Sequence, residues 1–105
     1  TDWLYGCPIG SLALELHEPD PPVRELLSVN FHGWTAAIAD CLEEAHARLP
    51  SGTDIPALAQ FVLTTMEGGV MQARTHRRGE AFDAGVDCLR DYFNRLRDAA
   101  HREGK

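Results

Sequence analysis

Eight side chains in this sequence could ligate a metal or attack a substrate. They are His17, His32, His46, His76 and His101, and Cys7, Cys41 and Cys88. A metal site on a single helix needs such ligands three or four residues apart, so that they share one face. No two of these eight stand at that spacing, and no metal is expected. Ligands converging from different helices leave a small helical metal or cofactor binder as an alternative. Asp83, Asp87 and Asp91 recur every four residues and resemble a carboxylate ladder. Arg90 and Arg95 lie within reach of it, so we read it as a solvated or intersubunit salt-bridge face. His76-Arg77-Arg78 is a small basic cluster that could hold an anion, although a helix C-terminus attracts cations in any case. There is no nucleophile motif, no acid/base pair on a rigid turn and no phosphate-cradling glycine loop. An enzyme is not expected, and no cofactor is implied. Glu67 remains. It could accept a hydrogen bond from a ligand, or fix a neighbouring helix through Arg24 or Arg74. The second role is the expected one, because an unpaired buried carboxylate is costly.

The element that would position Glu67 is one long helix over residues 54–77. Leu58, Phe61, Val62, Met66, Val70 and Ala73 fall at the three-and-four spacing of a helical stripe. Gly68 and Gly69 interrupt it, at roughly 1 kcal/mol each against alanine. Glycine permits close approach of a second backbone, so a tight helix crossing is expected there. Thr53 or Asp54 would cap this helix, and Gly79 would stop it. Residues 80–102 form the next helix, with a seam of Phe82, Val86, Leu89, Phe93, Leu96 and Ala100. Its 4-3-4-3-4 repeat suits helix-on-helix packing. Two helices with such faces suggest a dimer interface.

Upstream, Pro8 opens a helix over residues 8–18, with Ile9, Leu12, Ala13 and Leu16 inward. Pro19-Asp20-Pro21-Pro22 breaks the chain. A long helix over residues 21–48 follows, with Val23, Leu27, Phe31, Trp34, Ile38, Cys41 or Leu42, Ala45 and Leu49 on its stripe. Gly33 marks a close contact or a bend, and Pro50-Ser51-Gly52 ends the helix. No segment alternates with a period of two, so no strand is expected. The fold class is all-α: a four-helix domain of about 105 residues.

Composition agrees with a single soluble domain, at 44% hydrophobic and 25% charged. No apolar run approaches the roughly 20 residues that span a membrane. The opening TDWLYG lacks the features of a signal peptide, and it lacks a starting Met, which points to a fragment or processed product. The net charge is −6, and Lys105 is the single lysine. Such a surface repels phosphate, so this chain alone is not expected to bind nucleic acid. The three cysteines have no CxxC spacing and are expected to be reduced and buried in a cytoplasmic protein.

Several stretches, in this order and spacing, resemble the later part of tetracycline-repressor-like (TetR-family) regulators. They are Gly6-Cys7-Pro8-Ile9-Gly10-Ser11-Leu12-Ala13-Leu14-Glu15-Leu16, the Phe-x-x-Trp of Phe31-His32-Gly33-Trp34, and Leu63-Thr64-Thr65-Met66-Glu67-Gly68-Gly69 with the Ala-Arg that follows. The resemblance covers essentially the whole chain. It implies a C-terminal regulatory domain that binds a small apolar or amphipathic effector and forms a homodimer. The last two helices would pair with a partner's as a dimeric four-helix bundle. The N-terminal helix-turn-helix of such proteins is absent here, as is most of the helix that links it. Operator DNA would therefore be contacted only through that missing part, and the pocket wall is expected to be incomplete.

Phe31, His32, Trp34, Ile38, Phe61, Met66 and Glu67 are the residues expected nearest an effector, although for each apolar one plain core packing competes. Leu58, Val62, Gly68, Gly69, Phe82, Val86, Leu89, Phe93 and Leu96 are expected at the dimer interface. A free-standing helical protein-interaction module without effector is the alternative from another class.

Overall fold

The computed structural model describes residues 6–10 and 21–105. Residues 8–10 are helical. Three helices follow: α1 (Pro21–Glu44), α2 (Ile55–His76) and α3 (Glu80–Arg102). A 3-10 turn, His46–Arg48, lies between α1 and α2. Among the described residues there is no strand, and the domain is all-α as the sequence predicts. The expected helix over 8–18 lies mostly outside the described residues.

Helix α2 is the middle of the domain. It packs on α1 along one side and on α3 along the other. Asp54 caps it, its Oδ1 accepting the Ala57 N–H at 3.1 Å, and Pro56 sits in the first turn, where a missing donor is harmless. Small residues let both neighbours approach: Ala59 and Ala73 have no exposed surface. The close crossing expected at the glycine pair occurs at Gly69 only. A methyl group there would stand 3.2 Å from both Cα and Cδ2 of Phe82 in α3 of the same chain. Among the described residues Gly68 has nothing within 4 Å of that position. Gly33 likewise meets none of the described residues, and α1 runs through it, so no crossing is found there among them.

Helix α1 ends earlier than its stripe suggests. The Ala45 N–H is shared between the carbonyls of Cys41 and Leu42, at 3.2 and 3.1 Å, and the chain tightens into the 3-10 turn. That turn delivers Leu49 to the core at 5% exposure. The end of α2 is also not set where glycine suggests. Arg77 takes the left-handed conformation (φ 57°), and both its N–H and that of Arg78 reach the Ala73 carbonyl. Gly79 instead becomes the N-cap of α3.

The main core cluster is Leu42, Leu49, Ile55, Leu58 and Ala59, with Ile38, Ala39, Phe93 and Leu96 against it. Each large aliphatic buried there contributes about 1.5–3 kcal/mol. This core occupies the end of the domain where α1 finishes and α2 begins. The thiols of Cys7, Cys41 and Cys88 are free. Cys41 and Cys88 are exposed rather than buried, because their neighbours Leu42 and Leu89 take the inward positions.

Candidate functional site

The other end of α1 and α2 holds a cleft of about 420 Å³. Three segments form its described walls. Helix α2 gives Gln60, Leu63, Thr64, Glu67, Gly68, Val70, Met71 and Arg74. Helix α1 gives Phe31, and the segment before it gives Gly6, Cys7 and Gly10. The α2 residues form a second stripe beside the core stripe. Gln60, Thr64, Glu67, Met71 and Arg74 recur at 4-3-4-3, one side of a helix. Its size falls within the range that receives a drug-sized molecule, and its walls are mainly apolar.

Glu67 lies half-buried in this wall. Its Oε2 is 2.7 Å from where a methyl group at Gly10 would stand, so a side chain at Gly10 would displace the carboxylate. Gly10 donates its N–H to the Cys7 Sγ at 3.4 Å, which holds this short segment folded on itself. Gln60 Nε2 donates to Thr64 Oγ1 at 3.1 Å along the wall. Phe31 is braced by Trp34 in an edge-to-face pair with centroids 5.6 Å apart.

Of the seven residues expected near an effector, the cleft brings together Phe31 and Glu67. Trp34 supports Phe31 from behind. Ile38 packs against the core at the opposite end. His32 is exposed, and Met66 is half-buried beside the wall without lining it. Phe61 points elsewhere: it is 47% exposed and meets Tyr92 edge-to-face at 5.8 Å. The wall residues missed, above all Thr64 and Met71, were signalled by that second 4-3-4-3 stripe. An apolar stripe marks which side turns inward, but not whether a helix or a void stands there.

Among the nine expected interface residues, Leu58, Gly69 and Leu89 are buried within this chain. Val62, Gly68, Phe82, Val86, Phe93 and Leu96 are half-buried. Gly68 differs from the rest in lining the cleft. The α2–α3 pair also carries Phe61 and, at a spacing of four, Ala84, Cys88 and Tyr92, all exposed. Beside it a second hollow of about 510 Å³ runs from Pro50–Asp54 to Leu96.

Charged groups elsewhere are surface features. Arg95 Nε pairs with Asp91 at 2.9 Å, and Arg78 Nε approaches Glu80 at 3.6 Å, all well exposed. The Glu103 carboxylate accepts the Ser51 N–H at 3.0 Å, which holds its pKa below the ordinary 4.5, with Lys105 adding a smaller push in the same direction. Lys105 Nζ donates to the Leu49 carbonyl at 2.7 Å. Among the described residues no three His, Cys, Asp or Glu side chains converge as a metal site, and no helix is long and apolar enough to cross a membrane.

Two comparisons are silent: no curated protein and no solved structure matches the chain. The third is not. The model of the C-terminal domain of LmrA/YxaF-like transcriptional regulators matches residues 1–88. That span takes in both walls of the cleft and the Gly69–Phe82 crossing. The chain therefore belongs to the LmrA/YxaF-like family of C-terminal domains of TetR-type transcriptional regulators.

Proposed function

We propose that this chain is the effector-binding and dimerisation domain of a TetR-like repressor, with the α1–α2 cleft as its effector site. The observation that carries this reading is the cleft itself. It combines mainly apolar walls, a braced aromatic ring at Phe31 and, among the described residues, a single carboxylate at Glu67. Effector binding would favour one arrangement of two paired domains over another, and so alter the spacing of DNA-binding heads carried elsewhere in the regulator. The ligand needs only different affinities for the two arrangements. Operator contact by this acidic chain itself forms no part of the proposal.

Dimerisation through α2 and α3 is supported by the large apolar side chains that this pair leaves exposed, Phe61 and Tyr92. The half-buried Val62, Phe82, Val86, Phe93 and Leu96 lie inside the proposed interface, and Leu58, Gly69 and Leu89 shape it from beneath. Its outer contacts would be Phe61, Ala84, Cys88 and Tyr92.

Gly68→Leu tests the cleft. The new side chain meets none of the described residues within 4 Å at its Cβ and projects into the cleft, so the fold is expected to be retained while the cleft is filled. Wild-type protein is expected to bind 1-naphthylmethanol by isothermal titration calorimetry, and the variant to lose that binding at an unchanged far-UV circular dichroism spectrum. Equal binding by both proteins would place the effector elsewhere.

A further inference from the structure

Glu67 gives the cleft a charge preference. Its carboxylate is half-buried among Leu63, Val70 and Met71, and among the described residues it has no ion-pair or hydrogen-bond partner. This departs from the sequence expectation that Arg24 or Arg74 would hold it. Arg74 shares the wall but already has an interaction of its own. It stands two helical turns further on, about 10 Å along the axis. Among the described residues that line the cleft, Glu67 is the one carboxylate, and no ion pair or hydrogen bond holds it.

We propose that the effector is an organic cation: an aromatic or aliphatic body that carries an ammonium or similar group. This rests on the cleft being the effector site. Three features select that chemistry. The walls reward burial of an apolar body. The Glu67 carboxylate rewards a cationic donor, and charge-assisted hydrogen bonds are the stronger kind. Phe31 lines the same cleft, and an aromatic ring beside a cation attracts it. The net charge of −6 adds long-range attraction of the same sign. A neutral ligand would offer Glu67 at most an uncharged donor, and an anion would be repelled by it.

A matched set of probes separates charge from shape: 1-naphthylmethylammonium, 1-naphthylmethanol and 1-naphthoate, titrated calorimetrically at pH 7.5 into the chain as it stands. The ammonium probe is expected to bind about tenfold more tightly than the alcohol, with the carboxylate weakest. Glu67→Gln should remove that preference, whereas Glu67→Asp should retain it. Equal binding of ammonium and alcohol by the wild type would overturn the cation assignment and leave the cleft reading intact. So would a preference that survives Glu67→Gln. If the alcohol too fails to bind, the effector-site reading itself falls.

Discussion

Gly68 and Gly69 are neighbours in one helix, yet alanine at each should change stability in opposite directions. At Gly68 the added methyl meets none of the described residues within 4 Å. Helix propensity then acts alone and favours alanine by about 1 kcal/mol. At Gly69 the same gain applies, but the methyl lies 3.2 Å from the Cα and Cδ2 of Phe82. A Cα cannot rotate aside, so α3 must shift. Overpacking of this kind costs about 1–3 kcal/mol. The net change is from neutral to about 2 kcal/mol destabilising, and the two variants should differ by about 1–3 kcal/mol. In a domain of this size 1 kcal/mol moves Tm by about 4–8 °C. Thermal unfolding followed by circular dichroism reads this directly. Protein concentration must be held fixed, because association raises Tm by mass action. Equal upward shifts for both variants would refute the close crossing at Phe82. A loss of stability at Gly68→Ala would refute the open space beside it.

Arg77→Gly should stabilise the domain by about 0.5–1 kcal/mol, since an arginine at φ 57° carries a left-handed penalty that glycine avoids; urea unfolding would show a raised midpoint at unchanged slope. The Ser51 amide resonance should titrate with Glu103 at a midpoint below pH 4.5, because the folded pKa is depressed. The stabilisation by this contact is present above the ordinary carboxylate pKa and is lost as pH falls through the lowered one. Glu103→Gln should therefore be less stable than wild type at pH 7 and equal to it in strong acid, and a midpoint at or above 4.5 would contradict the contact. Tyr92→Glu should shift sedimentation from dimer to monomer, because it places charge on the exposed Phe61–Tyr92 pair; an unchanged dimer would remove this face from the interface.

The helices were legible in the sequence because their signals are local. Asp54, Pro56 and the Pro50-Ser51-Gly52 break fix the start of α2 within a residue of its expected place. Helix α3 was legible at both ends. Where a boundary depends on hydrogen bonds made only in three dimensions, the reading slipped. The 3-10 turn at His46–Arg48 was read as more of α1, and the left-handed cap at Arg77 was not foreseen, although α2 ends within a residue of its expected place. The site was half legible for a similar reason. Phe31 and Glu67 were found, but Ile38 lies on the same stripe as Phe31 and ends in the core. Periodicity assigns a direction around a helix axis. What stands in that direction changes along the axis, from packed core near Leu42 to open cleft near Phe31.

The arrangement of the core also bears on how the chain comes into being. Leu42, Leu49, Ile55, Leu58 and Ala59 are made well before Phe93 and Leu96, which cover them, and before Glu103 and Lys105, which tie down the loop at 49–51. During synthesis α1 and α2 can form their hairpin as soon as they emerge, since their contacts are near in sequence. Until α3 follows, that hairpin presents an uncovered apolar side to the cell. A stalled or truncated chain that ends near Gly79 would be a sticky species, prone to capture by chaperones.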